Sequence, residues 1–165
     1  MAVLALVSVE EFLSTAYRPD CDCVDGVIEE RNVGEVDHSR LLALLAVFLS
    51  RLEKQLGICV LPAVRVQVKA SRLRVPDICV VRGPKPPGRV LREAPLLCIE
   101  ILSPEDRMAK MHERIADYLE MGVPCVWVIN SETGTGWIYT AGGAREAKDG
   151  CWLCGNRRSF CRWLS

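Results

Sequence analysis

The stretch that decides the fold is Leu96-Leu97-Cys98-Ile99-Glu100-Ile101-Leu102-Ser103-Pro104-Glu105-Asp106. Seven residues that are apolar apart from one acid read as a central β-strand, because only a strand covered on both faces lacks polar alternation. Ser103-Pro104-Glu105-Asp106 then reads as a helix start: Ser caps, Pro suits the first helical position and acids favour the positive end of the dipole. This predicts a helix to about Met121, stopped by Gly122. Met108, Met111, Ile115 and Leu119 form its apolar stripe, and Arg107, Lys110 and Arg114 line another side, either as a solvated face or as a cationic wall. Val123 to Ile129 supplies the next strand and Trp137 to Thr140 another.

Working back from the central strand, Gly83 to Gly88 is a loop, and Val75-Pro76-Asp77-Ile78-Cys79-Val80-Val81 is a strand that Pro76 permits only near its start. Val64, Val66 and Val68 alternate with Arg65, Gln67 and Lys69, which predicts a strand with one wet face. Leu41, Leu44, Leu45, Phe48, Leu52 and Leu56 recur at helical spacing, so Val36 to Leu56 is expected to be one long, mostly buried helix closed by Gly57. Asp25-Gly26 marks a tight hairpin within Val24 to Arg31. Ser8-Val9-Glu10-Glu11 fits a capping box opening a short helix to about Tyr17. Strands mixed with two long helices indicate an α/β or α+β architecture, a mixed sheet flanked by helices.

At 165 residues the chain has the length of one domain, and half of it is hydrophobic, which excludes a disordered or collagen-like polymer. Its 21 basic and 21 acidic side chains cancel, so any contact with nucleic acid must use a local patch rather than a global field. The apolar start lacks a basic n-region, and the longest apolar run, Leu41 to Leu49, is too short for a bilayer span. A soluble cytoplasmic protein without a membrane role is expected.

Of nine cysteines, Cys79, Cys98 and Cys125 sit in apolar runs where a thiol acts as a small core residue. Cys21, Cys23, Cys151 and Cys154 could supply a zinc site if the two regions met, although this spacing is weak support for one. Residues 1–150 read as the folded domain. Residues 151–165 read as a separate tail in which Trp152, Phe160 and Trp163 interleave with Arg157, Arg158 and Arg162, a pattern able to stack on single-stranded nucleic acid or simply an altered terminus.

Chemistry enters with Glu100. A carboxylate inside a buried strand costs several kcal/mol unless a charge or hydrogen bonds compensate it. An ordinary salt bridge to Arg65 or Arg107 would do so, and Asp77 could equally be a turn cap. Alternatively, a neighbouring strand brings Asp77 close, and two acids sharing a pocket repel unless a cation lies between them. Magnesium needs only one or two carboxylates and readily accepts phosphate oxygens.

Asp25-Gly26-Val27-Ile28-Glu29-Glu30-Arg31, His38-Ser39, Val75-Pro76-Asp77-Ile78, Cys98-Ile99-Glu100-Ile101-Leu102-Ser103-Pro104 and Tyr118-Leu119-Glu120-Met121-Gly122-Val123 resemble the Uma family. That family is a large bacterial group of endonucleases with the restriction-endonuclease-like, or PD-(D/E)xK, fold, and the resemblance runs from about Val7 to Glu146. It implies that Asp77 and Glu100 ligate Mg²⁺ or Mn²⁺, that the Ile101 carbonyl assists, and that Glu30 adds a further acid. It also implies a DNA substrate and makes a homodimer plausible. The superfamily's lysine two positions after the acid is replaced here by Leu102. The position matching the family's helical lysine is Arg114, with Lys110 one turn earlier; arginine can stabilise a phosphate but does not deprotonate to act as a base. The family's histidine matches His38, which would polarise a phosphate or orient Glu30 if it is not structural. His112 matches no motif and is expected on the surface. The competing reading is a catalytically idle nuclease-fold module that binds nucleic acid or a protein partner.

Overall fold

The computed structural model describes residues 6–17, 21–31, 35–104 and 106–147. In chain order these form α1 (Val9–Ser14), β1 (Cys21–Val24), β2 (Val27–Glu30), α2 (Val36–Ser50), α3 (Glu53–Leu56), β3 (Ile58–Pro62), β4 (Val66–Lys69), β5 (Arg72–Arg74), β6 (Ile78–Arg82), β7 (Leu97–Leu102), α4 (Met108–Met121), β8 (Val126–Asn130), β9 (Gly136–Thr140) and β10 (Gly143–Ala147). The strands make two sheets. A mixed six-stranded sheet runs β10-β9-β8-β7-β6-β3, and a four-stranded one runs β2-β1-β5-β4.

All six residues of β7 are buried, as its unbroken apolar run requires. Leu97, Ile99 and Ile101 pack with Leu45 and Leu49 of α2. The alternate residues Cys98 and Leu102 pack with Met111, Ile115 and Tyr118 of α4. Glu100 shares that second face, since strand side chains alternate. Cys79 and Cys98 are fully buried and Cys125 nearly so, which agrees with their reading as core residues. β7 and β8 pair in parallel, with Glu100 opposite Val128, and α4 makes the crossover between them. Every other pairing in the large sheet is antiparallel.

The small sheet carries the hairpin foreseen at Asp25-Gly26. Both residues take left-handed backbone, at φ 51° and 85°, as a two-residue turn between twisted strands requires. A Cβ at Gly26 would also lie 2.9 Å from the Cβ of Leu6. Phe12, Cys21, Cys23, Leu73 and Val90 form the core beneath this sheet.

Four sequence expectations need correction. The long helix is neither continuous nor mostly buried: it turns at Arg51-Leu52, and Leu44 and Val47 are 39% and 53% exposed. It covers only one face of the sheet, so Leu45, Leu49 and Leu52 suffice as its contact stripe, and Gly57 ends the final turn at φ 62°. The helix after β7 starts at Met108 rather than at Ser103, because the Asp106 carboxylate accepts from the Ser103 N–H at 2.7 Å while the Asp106 N–H donates to the Ser103 carbonyl at 3.0 Å, tying these two residues to each other ahead of the helix. Its buried stripe is Met111, Ile115, Asp117 and Tyr118, while Met108 is 45% exposed. Finally, β5 and β10 have no counterpart in the apolar pattern. β5 is Arg-Leu-Arg, and four of the five residues of β10 are exposed.

Cys21 and Cys23 are buried among apolar neighbours. The other two cysteines of the zinc reading, and the whole tail at 151–165, lie outside the described residues. His112 is exposed, as expected. No helix among the described residues is long and apolar enough to cross a membrane.

Candidate active site

The antiparallel register of β6 and β7 sets Ile78 against Ile99 and Cys79 against Cys98. Continued by one residue, it sets Asp77 against Glu100. Directly opposed residues of an antiparallel pair point to the same side of the sheet, and this brings the two acids together. Asp77 is 4% exposed and Glu100 1%. The Ile101 N–H donates to Asp77 Oδ2 at 2.7 Å, tying the two chain segments at the point where the acids meet.

Cations and donors converge on the pair from three elements. Arg31, just past the end of β2, places Nη2 2.7 Å from Asp77 Oδ1 and 3.9 Å from Glu100 Oε2. His38, in the first turn of α2, lies with Nε2 3.4 Å from Asp77 Oδ2. From α4, Tyr118 donates its hydroxyl to Glu100 Oε1 at 2.6 Å, and Arg114 donates to Oε2 at 3.3 Å. Arg114 and Tyr118 are one helical turn apart, so both side chains reach the same carboxylate.

These surroundings drive the two acids in opposite directions. Burial pushes Glu100 up to about 7, with Asp77 adding to the rise, against the pull of Arg114, Arg31 and the Tyr118 hydrogen bond. Burial also opposes ionisation of Asp77, but the His38 contact, the Arg31 charge and the Ile101 N–H outweigh it and hold that carboxyl below its usual range. The same contact with Asp77 raises His38 above its ordinary value. One acid is therefore firmly ionised while its neighbour is poised near neutrality, a division that recurs at sites of acid-base and metal chemistry.

Both acids face a cavity of about 320 Å³, which Glu30, Arg31, His38, Ile101, Arg107, Lys110 and Arg114 also line. All the candidate residues from the sequence thus meet at one opening, but in unequal roles. Glu30 is exposed at the rim, and among the described residues no three His, Cys, Asp or Glu side chains form a group able to hold an ion. Lys110, 55% exposed, lies 3.5 Å from Glu29 Oε1. Arg114 is tied at both ends, with Nε 3.1 Å from Asp22 Oδ2 and Nη1 3.3 Å from Glu100 Oε2.

The bland alternative for Glu100 is corrected in its partners. Arg65 lies elsewhere, with its guanidinium 4.9 Å over the Phe12 ring, and Arg107 stands on the cavity wall. Arg114 and Arg31 are the cations that compensate Glu100. The sequence reading gave no role to Arg31, Asp22 or Tyr118. Arg31 closes the hairpin motif and Tyr118 follows Arg114 at helical spacing, so both left a positional trace; Asp22, flanked by two cysteines in a short strand, left none.

A divalent ion fits this donor set, on the observation that one cationic atom, Arg31 Nη2, already sits 2.7 Å from Asp77 Oδ1 and 3.9 Å from Glu100 Oε2. Two carboxylates are hard oxygen donors of the kind magnesium and manganese take.

The family model described as "Putative restriction endonuclease", Uma2, matches residues 9–150. The chain belongs to the Uma2 family. A crystal structure of "a putative nuclease belonging to DUF820 from Anabaena variabilis ATCC 29413" superposes on this Uma2 chain with a TM-score of 0.77 at 20% identity, covering 96% of this chain and 99% of that one. The cryoEM structure of a DrdV–DNA complex superposes with a TM-score of 0.52 at 12% identity, covering 77% of this chain but only 12% of the other. At such identities these likenesses speak for the fold, which is the restriction-endonuclease-like mixed sheet flanked by helices. No curated protein matches the chain.

Proposed function

We propose that this Uma2 protein is a divalent-metal-dependent endonuclease that hydrolyses phosphodiester bonds in DNA in the cytoplasm. The observation that carries the reading is the pair Asp77 and Glu100, opposed across β6 and β7, buried, and open to a cavity with a cationic wall. Membership of a family described as restriction endonucleases supports a nuclease, and the similarity to part of a protein solved with DNA supports that substrate class.

In this reading Asp77, Glu100 and the Ile101 carbonyl hold Mg²⁺ or Mn²⁺, with Glu30 joining from the rim. The ion supplies Lewis acidity and a water of lowered pKa. The chain's own residues do the rest. Arg114, fixed by Asp22, and Tyr118 orient the Glu100 carboxylate and compensate its charge. His38 and the Ile101 N–H orient Asp77. Lys110, one turn before the Arg114 that matches the family's lysine, is exposed and lightly paired, and it is the cation free to swing onto a phosphate; Arg114 is committed inside. A homodimer would set two such sites against the two strands of a duplex; light scattering tests that directly.

Incubating supercoiled plasmid with the purified protein and Mg²⁺ or Mn²⁺ should yield nicked product, and EDTA should abolish it. Asp77→Asn and Glu100→Gln should each lower the rate by about 100-fold or more, the scale on which removal of preorganised charge acts. Undiminished nicking by both variants would overturn the assignment. The idle-module reading is favoured by Leu102 in the superfamily's lysine slot and by the guanidinium held on Asp77 beside Glu100; it requires binding of nucleic acid or a protein partner with no cleavage under any divalent ion.

A further inference from the structure

Resting on the nuclease reading, we propose that Arg31 is a resident counter-cation at the ion position, displaced when a divalent ion binds and then free to clasp a phosphate of the bound strand. Three observations support this. Its Nη2 contacts Asp77 Oδ1 and approaches Glu100 Oε2, so guanidinium and ion compete for the same two oxygens. Among the described residues these carboxylates are its only partners, and its buried Nε has no hydrogen-bond acceptor. A seat that leaves one buried donor unsatisfied is imperfect, since such a donor forfeits the hydrogen bond that water would have given it. Third, Arg31 itself lines the cavity, so a change of rotamer carries its planar fork toward the place where a phosphate must lie. A bidentate guanidinium–phosphate contact would satisfy the donors that the present seat does not.

Arg114 provides the contrast. It touches the same Glu100 oxygen yet is anchored from behind by Asp22, so it stays when the ion enters, whereas among the described residues Arg31 makes no ion pair or hydrogen bond outside the two site acids. The consequence is coupling. Without DNA the arginine opposes the ion, and with DNA its alternative partner removes that opposition, so each ligand raises affinity for the other by the same factor.

The test is Mn²⁺ affinity, measured by calorimetry and electron paramagnetic resonance on the full chain, with and without a phosphorothioate duplex that resists cleavage. Arg31→Gln should bind Mn²⁺ about tenfold or more tightly than the wild type without DNA, and the duplex should raise the wild-type affinity by a similar factor while leaving Arg31→Gln little changed. If Asp77→Asn abolishes Mn²⁺ binding but Arg31→Gln binds no more tightly than wild type, the arginine is not a competitor and the proposal fails while the nuclease reading stands. Absence of Mn²⁺ binding by wild type and Arg31→Gln alike, with or without duplex, would sink both. Should Arg31→Gln not fold, the wild-type duplex arm decides alone: an unchanged Mn²⁺ affinity overturns the proposal.

Discussion

Two buried ionic clusters lie side by side, and they are built on opposite plans. In the first, Arg74 of β5, 1% exposed, places Nε 2.8 Å from Asp117 Oδ2 and Nη1 3.0 Å from Asp22 Oδ2. Arg72 binds Asp117 Oδ1 at 2.8 Å, and the Val75 N–H binds Asp22 Oδ1 at 3.0 Å. The acids come from β1 and α4 and the arginines from β5, so this network fastens the small sheet to the helix, closed except where Asp22 also holds Arg114. In the second, the two acids oppose each other, the cations approach from the edges, and the whole faces a cavity. Burial of charge by itself therefore does not mark a site. What distinguishes the Asp77–Glu100 pair is like charges set together and left open on one side, where a cation and a phosphate can enter.

If this contrast is right, changes in the closed cluster should act on stability and changes in the open one on chemistry. The largest expected effect on folding is that of Arg74→Met, which takes from Asp117 and Asp22 one of their cations each, leaving Asp117 to Arg72 and Asp22 to Arg114, and should cost about 3 kcal/mol. For a chain of this size that lowers Tm by roughly 10 °C, readable by calorimetry at pH 7. A change of only a degree or two would show that the network is not a fastening.

A different response is expected from Glu100→Gln in ion-free protein. Glu100 keeps its proton to about 7 when folded but ionises near its ordinary value when unfolded, so the folded state binds more protons between those limits. Its contribution to wild-type stability is then fully present below about 4.5 and lost as pH rises toward 7. Glutamine cannot ionise, so the stability of Glu100→Gln relative to wild type should increase steadily over that interval and level off above it. Urea titrations of both proteins at a series of pH values measure the difference, and a flat difference would mean that the pair is as evenly compensated as the Arg74 cluster.

The smallest expected effect belongs to Lys110→Ala. Its ion pair with Glu29 is exposed and should be worth less than about 1 kcal/mol, so Tm should hardly move while nicking slows by about tenfold or more through loss of a phosphate contact. Equal losses of stability and rate would place Lys110 in the fastening rather than at the site.

The difference between the clusters also explains what could be read from the chain. The unbroken run around Glu100 declares a buried strand, and Asp25-Gly26 declares a hairpin, because both signals are local and have few solutions. The acids of the site stood out because a charge in an apolar run is conspicuous. Arg31, Asp22 and Asp117 did not, since a charged residue in a short or amphipathic element looks solvated until tertiary pairing buries it. The late start of α4 was hidden for a related reason: Ser103-Pro104 is a sound helix opening that the Asp106 turn outcompetes. The convergence of Asp77 on Glu100 needed the register of β6 against β7, which 14 intervening residues (83–96) and two unpaired sequences do not reveal.

The crossover from β7 through α4 to β8 has a further consequence. Glu100, Arg114 and Tyr118 belong to one contiguous stretch, Leu97–Asn130, whereas Asp22, Arg31 and Asp77 arrive from three separate places upstream. Swapping that stretch between relatives would transplant an acid together with its own neutralising partners, so a chimaera joined before Leu97 would inherit half of the centre intact and would have only the upstream half to re-fit.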